Sequence, residues 1–262
     1  MKPYANLHTH SIHSDGKFSP RELVRIAWEE GYRALAVTDH DTVTANPEVA
    51  ECCRELGMEY IFGAEFTSGP FHIVALDFDP EYPEMKAYLE KMVQRQQHET
   101  KTVLGWAQEK GALTGITWED VVAHNQGISW LCNEHVFRSL KSKGLMTDRD
   151  YYDFYVTHFY LQRRQVAQLH DFLAPADMIK LIRRAGGIPI LAHPHGQLDH
   201  GEQDRPQNAR KQSADWGAAA CGSGRHTDGG GQDPQIHHGN AEGNPEECRG
   251  DGDDPRDLQE RG

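Results

Sequence analysis

The chain has 262 residues, with 27 Lys and Arg against 40 Asp and Glu and a formal net charge of -13. That balance excludes a nucleic-acid platform driven by bulk positive charge. It leaves room for a small phosphorylated substrate, because bound divalent cations invert the local sign. No apolar run reaches membrane-spanning length, and the N-terminus enters a strand without a signal-peptide core, so a cytoplasmic protein with no membrane partner is expected. The five cysteines (Cys52, Cys53, Cys132, Cys221, Cys248) are scattered and form no CxxC pair, which reads as reduced thiols.

In chain order, Tyr4 to His8 reads as a first strand. Ser19-Pro20-Arg21-Glu22 is a capping box with Pro at the first helical position. The helix it opens places Leu23, Ile26 and Ala27 on one face and stops at Gly31. Ala34 to Thr38 is a second strand. Asn46-Pro47 opens a second helix that Gly57 closes. Glu59 to Phe66 and Phe71 to Leu76 read as strands three and four. Strands alternating with helices predict parallel pairing and an α/β fold over residues 1–80. Residues 81–171 change rhythm and predict a helical insertion, with helices over Tyr82–Lys110, Thr117–His124, Leu131–Lys143 and Asp148 to about Leu161. The α/β pattern resumes over 172–195: Pro175 starts a helix, Gly186-Gly187 ends it, and Ile188 to His193 is a buried strand.

Residues 196–262 hold few large hydrophobics and many Gly, Asp, Gln, Arg and His. Such a segment buries too little apolar surface to offset its ordering entropy, so it reads as a disordered polar tail. A natural low-complexity tail is one account of it, and a reading-frame shift is the other.

The chemistry concentrates near strand ends. Asn6-Leu7-His8-Thr9-His10 is followed by Ser14-Asp15-Gly16, and Val37-Thr38-Asp39-His40-Asp41 closes the second strand. Side chains alternate along a strand, so His8 and His10 share one face. In a parallel barrel the C-terminal strand ends converge on one mouth. That gathers His8, His10, His40, Glu65 and His193, with Asp15 on the first loop and His72 early in strand four. Imidazoles with carboxylates suit zinc, manganese or iron better than calcium. Asp39 and Asp41 read as supporting or capping groups. His13, His98, His124, His158 and His170 read as ordinary hydrogen-bonded histidines. A Gly-rich phosphate loop and a GxSxG elbow are both missing, which removes support for nucleotide-kinase and serine-hydrolase readings.

LHTHSIHSDG, TDHD, GAEF, FHIVALDFD and ILAHP together resemble the PHP (polymerase and histidinol phosphatase) superfamily, most closely its stand-alone metal-dependent phosphoesterases. The resemblance covers about residues 4–195. It implies a distorted (β/α)7 barrel with a helical insertion and up to three divalent ions (Mn, Zn or Fe). It implies that His8, His10 and Glu65 hold one ion, that Glu65, His72 and His193 hold a second, and that Asp15 and His40 hold a third. Its expected activity is hydrolysis of a small phosphorylated metabolite, a nucleotide or a short oligonucleotide end by metal-activated hydroxide, with Glu65 and His193 as the catalytic residues. The family closes its barrel with Gly-Ser-Asp-x-His, whose Asp and His complete the first and third sites. This sequence lacks that motif, and the last barrel strands are expected to be missing. Related enzymes carry Arg-Pro-His in the insertion, thought to meet substrate phosphate. Here the run is Asn133-Glu134-His135, which leaves His135 as a candidate substrate contact or as a solvated helix residue. The alternatives to this activity are a catalytically impaired metal-binding remnant and a histidinol-phosphate phosphatase. A polymerase-associated module is disfavoured, because no polymerase body follows.

Overall fold

The computed structural model describes residues 4–194 apart from 161, 163–165 and 167–171. The predicted tail and His170 lie outside the described residues. Six strands fall into two three-stranded sheets. The first is parallel: β1 (Ala5–Asn6), β2 (Ala34–Leu35) and β3 (Glu59–Tyr60) pair in that order. The second is antiparallel, with β5 (Phe71–Leu76) between β4 (Gly63–Ser68) and β6 (Ile188–Leu191). An isolated parallel bridge between His40 and Glu65 joins the two, with Asp41 N donating to Glu65 O at 2.9 Å and Glu65 N to Asp39 O at 3.1 Å.

The fold is therefore mixed α/β, and the expected parallel pairing holds only for the first sheet. Two residues, Gly69 and Pro70, separate β4 from β5. A parallel connection needs a crossover of a dozen or more residues, whereas so short a link closes a hairpin. The described strands form these two sheets, and closure into a seven-stranded barrel is not seen among them. The predicted third strand also divides, because the chain leaves the first sheet after Tyr60 and enters the second at Gly63. Asn46 fastens that step: its Oδ1 accepts from Tyr60 OH at 2.8 Å, and its Nδ2 donates to Gly63 O at 3.0 Å.

The helices follow their local signals. α1 (Pro20–Glu29) starts on the Ser19–Glu22 capping box, with Glu22 N donating to Ser19 Oγ and Ser19 N to Glu22 Oε2. α2 (Asn46–Leu56) ends at Gly57, whose φ of 66° is the left-handed C-cap that glycine adopts without strain. Both pack on the first sheet through Val24, Ala27, Leu35, Val37, Val49, Cys52 and Cys53.

The long helix α3 (Pro83–Glu109) serves two cores. Its first half puts Met85, Tyr88, Leu89 and Met92 against β4, β5 and α7 (Pro175–Arg184). Its second half puts Val103, Leu104 and Ala107 into a separate helical core. That core also takes α4 (Trp118–His124), α5 (Asn133–Ser142) and α6 (Tyr151–Phe154), which a π-helical turn extends over Tyr155–Tyr160. β6 was expected to be buried, but Ile188 and Ile190 are 59% and 43% exposed. No described strand lies beyond β6 to cover them. Among the described residues no helix is long and apolar enough to cross a membrane.

Candidate metal centre

Five imidazoles close a circuit. His8 neighbours His10 at 5.2 Å between ring centroids, His10 neighbours His40 at 4.6 Å, His40 neighbours His72 at 5.0 Å, His72 neighbours His193 at 5.1 Å, and His193 returns to His8 at 5.8 Å. Glu65, fully buried on β4, stands at the middle. Its Oε2 lies 3.2 Å from His8 Nε2, 3.1 Å from His10 Nε2 and 3.4 Å from His40 Nδ1. Its Oε1 lies 2.8 Å from His193 Nε2 and 3.4 Å from His72 Nδ1. Asp15 sits outside the ring at one corner, 3.3 Å from His10 Nδ1 and 3.6 Å from His40 Nε2.

Local structure explains the convergence. Thr9, between the two histidines, turns the other way and donates from Oγ1 to Ala36 O at 2.9 Å, while its carbonyl accepts from Thr38 N at 2.7 Å. That fixes His8 and His10 on the opposite face, toward Glu65. His40 and Glu65 are register partners in the bridge between the sheets, so their side chains meet. His72 pairs across the hairpin with Thr67, two residues on from Glu65. His193 follows β6 with φ of 26°, an uncommon backbone state for a residue with a side chain, and the preceding Ala192 N donates to His72 O at 3.0 Å.

The loop carrying Asp15 is held from inside by Asp39. Its carboxylate accepts from Ser11 N at 2.7 Å, Ser11 Oγ at 2.7 Å and Ser14 Oγ at 2.6 Å, and all three residues are buried. Asp41 does similar work for β4: it has φ of 49°, and its carboxylate accepts from Thr67 N at 2.9 Å and Thr67 Oγ1 at 2.7 Å. The expected supporting roles of both carboxylates are what their contacts describe.

The electrostatics call for positive charge. Burial alone would raise the Glu65 carboxyl, but His40, His10, His193 and His72 outweigh it and hold it far below the usual carboxylate range. Lost hydration would likewise raise Asp15, yet His40 and His10 hold it low. Burial disfavours a charged His40 ring, but Glu65 and Asp15 raise it to about 10.

Whether metal ions fit this donor set can be tested on hydrogen bonding. His40 Nδ1, Glu65 Oε2 and His72 Nδ1 are buried with no hydrogen-bond partner among the described residues, although they crowd together. Polar atoms so placed are costly unless something binds them. Two ligand atoms each ~2.1 Å from a shared cation, at ordinary coordination angles, stand ~3.0–3.4 Å apart. Four of the five contacts to Glu65 fall at 3.1–3.4 Å, longer than a good charged hydrogen bond and right for a shared ion. Three triads meet the spacing: His8–His10–Glu65, His10–Asp15–His40 and His40–Glu65–His72.

The seven residues expected from the sequence as metal ligands lie together, and six of them fall in these triads; His193, expected beside Glu65 and His72, falls in none, its Nε2 lying 2.8 Å from Glu65 Oε1. His135 behaves differently from both expectations. It is fully buried at the start of α5. Its Nδ1 accepts from Cys132 N at 3.0 Å, and its Nε2 faces Ile12 O at 2.9 Å. Both ring nitrogens are spent within the protein, which leaves none for a phosphate, and the ring is not a solvated helix residue either. Burial pushes its pKa down to about 3. Sequence reasoning also passed over Trp130, whose indole lies over His40 at 5.9 Å with an interplanar angle of 26°. No local pattern marks it, because only the docking of the insertion brings it there.

A mixed α/β fold whose rim gathers imidazoles and carboxylates around one glutamate belongs among the metal-dependent hydrolases. Residues 6–161 match the PHP domain, and the chain belongs to that family. A 5'-3' exoribonuclease of Haemophilus influenzae is 32% identical over 195 residues, 72% of this chain and 68% of that protein. A 3',5'-nucleoside bisphosphate phosphatase of Chromobacterium violaceum is 27% identical over 201 residues, 75% of this chain and 68% of that protein. The chain therefore spans about two thirds of the length of these relatives. A solved structure from Bifidobacterium adolescentis, provisionally assigned as a metal-dependent phosphoesterase, superposes with a TM-score of 0.64 at 22% identity. It covers 82% of this chain and 74% of that one, a likeness that shows the fold.

Proposed function

We propose that the chain is a metal-dependent phosphoesterase acting on a small phosphorylated metabolite, a nucleotide or a short oligonucleotide end. The observation that carries this reading is the ring of His8, His10, His40, His72 and His193 around buried Glu65. In this reading His8, His10 and Glu65 hold one cation, Glu65, His72 and His193 a second, and Asp15 and His40 a third beside His10. The donor set suits manganese, zinc or iron. Bound cations would lower the pKa of a water to near neutrality and neutralise phosphate oxygens.

The chain's own residues do the rest. Glu65 offers one oxygen to each half of the ring, so a single buried charge serves two sites. His193 is the most exposed of the five rings, with its side chain 48% exposed. In this reading His193 is the candidate to return a proton to the leaving oxygen. The relatives named as an exoribonuclease and a nucleoside bisphosphate phosphatase favour nucleotide ends over histidinol phosphate. A second reading, a metal-binding remnant with little catalysis, draws on the exposed Ile188 and Ile190 of β6, which leave an apolar edge open.

The test is turnover of a generic aryl phosphate, a nucleoside 3',5'-bisphosphate and a 5'-phosphorylated trinucleotide with added Mn2+. Wild type should hydrolyse at least one of them, and His8→Ala should be nearly inactive. Activity unchanged by His8→Ala would refute the site. Partial metal loading without turnover would select the remnant, and near-full occupancy of three sites per chain would contradict it.

A further inference from the structure

One stripe of the helical insertion grips the loop that carries Asp15. Cys132, His135 and Arg138 recur at three-residue spacing, so they share one face at the start of α5. His135 Nδ1 accepts from Cys132 N, so its proton sits on Nε2, which donates to Ile12 O at 2.9 Å. Arg138 forks: Nη1 donates to Ile12 O at 3.2 Å and Nη2 donates to Gly16 O. Cys132 Sγ reaches Ser14 O at 3.9 Å. Three alternate carbonyls, those of Ile12, Ser14 and Gly16, thus face a single helix, and Asp15 lies between the last two.

The turn they form has little slack. A Cβ on Gly16 would fall 2.0 Å from His10 O, and Gly16 N donates to Ser11 O at 3.0 Å. Asp39 pins the same loop from the opposite side through Ser11 and Ser14. The Asp15 side chain itself is 48% exposed, and beyond facing His10 and His40 it accepts from Ser14 Oγ at 3.4 Å. Its aim is set by its backbone.

We infer that Arg138 is a positioning residue: through the carbonyls of Ile12 and Gly16 it fixes the turn that aims Asp15 at His10 and His40, and so sets how tightly that corner holds its cation. The inference rests on the reading of Asp15 as a ligand proposed above. Arginine suits the task because its planar fork spans two acceptors at once, which the single ammonium of lysine does not. Groups that orient a ligand typically change metal affinity about 10–100-fold when removed. The dependence should be local, because Glu65, His72 and His193 touch neither Arg138 nor the 12–16 loop in any contact described above. The insertion, on this account, tunes one of three cation sites from outside it.

The experiment is a Mn2+ titration of the full, metal-stripped chain by calorimetry, with free Mn2+ followed by electron paramagnetic resonance. Wild type, Asp15→Asn, Arg138→Met, Arg138→Lys and His8→Ala are compared. Asp15→Asn should weaken one class of site, and Arg138→Met should weaken that same class by about 10–100-fold and spare the others. Arg138→Lys, which keeps the charge but not the planar fork, should recover part of the loss. His8→Ala should weaken a different class. Arg138→Met binding like wild type, or weakening every class alike, would overturn the inference while leaving the phosphoesterase reading in place. If Arg138→Met does not fold, Arg138→Lys decides: a selective loss at the Asp15 class supports the inference, and wild-type or uniformly weakened binding overturns it. Wild type that binds no Mn2+ would remove the metal-site reading itself, and this inference with it.

Discussion

Glu65→Gln is the sharpest perturbation available, because it keeps the shape of the hub and deletes its charge. The two carboxylate oxygens face five ring nitrogens at 2.8–3.4 Å. Two unit charges ~4 Å apart interact by about 4 kcal/mol at an effective dielectric constant of ~20, and a dication at bonding distance feels more. Since ~1.4 kcal/mol is tenfold in a binding constant, losing the Glu65 charge should weaken each cation it touches by about a thousandfold or more. Two of the three proposed sites share Glu65, so the variant should keep at most the corner at Asp15. Calorimetric Mn2+ titration of the metal-stripped variant beside wild type reads this directly. Phosphoesterase turnover at saturating Mn2+ should fall in parallel. Mn2+ affinity within tenfold of wild type at every site would show that Glu65 is an ordinary buried carboxylate and that the ring is not built for ions.

Two further outcomes follow from the surroundings of the site. Asp39→Ala removes the acceptor for three donors in a buried loop, each worth ~1.5–3 kcal/mol when the acceptor is charged, so the metal-free chain should lose about 3–5 kcal/mol in urea denaturation at pH 7; a loss under ~1 kcal/mol would mean that the loop is held elsewhere. Glu134 concerns pH. Burial pushes its carboxyl from the ordinary 4.5 up to about 7, against the pull of Arg138 and with a further push from Asp15, while Tyr151 OH donates to its Oε1. The folded state therefore binds this proton more tightly than the unfolded state does. The stability it contributes is fully present below about pH 4.5 and is lost as pH rises through about 7. A shift of that size corresponds to roughly 3 kcal/mol. Glu134→Gln should flatten that part of the stability profile of the metal-free chain between pH 5 and 8, and a profile as steep as that of wild type would refute the assignment.

The residues of the ring were legible because they sit in short local patterns. HxH alternation places His8 and His10 on one face whatever the strand's neighbours are, and His193 follows β6 as expected, whereas Glu65 falls inside β4 and His40 in the isolated bridge to it. Helix limits were legible for the same reason: the Ser19 box, the Asn46-Pro47 start and Gly57 act within one turn. Strand direction was not, because the reading of parallel pairing gave the two-residue link Gly69-Pro70 too little weight. The division at Tyr60–Gly63 depends on Asn46, which lies 14 and 17 residues away from the groups it ties. The role of His135 was invisible for a related reason. A histidine three residues into a helix reads as a surface or ligand residue until the partner, Ile12 O, is known, and that partner is 123 residues distant. Arg138 and Trp130 were missed on the same ground, since their contacts arise only when the insertion docks on the α/β part.

α3 is one 27-residue rod whose two halves belong to different hydrophobic clusters. Melting either cluster strips Met85–Met92 or Val103–Ala107 of its packing and leaves a half-supported helix, which is short of the length that persists alone in water. The two clusters should consequently denature as one cooperative block, with slow-exchanging amides running unbroken along α3. The same continuity means that the helical segment cannot be cut out at residue 81 without taking away Met85–Met92, which roof the sheet that bears Glu65.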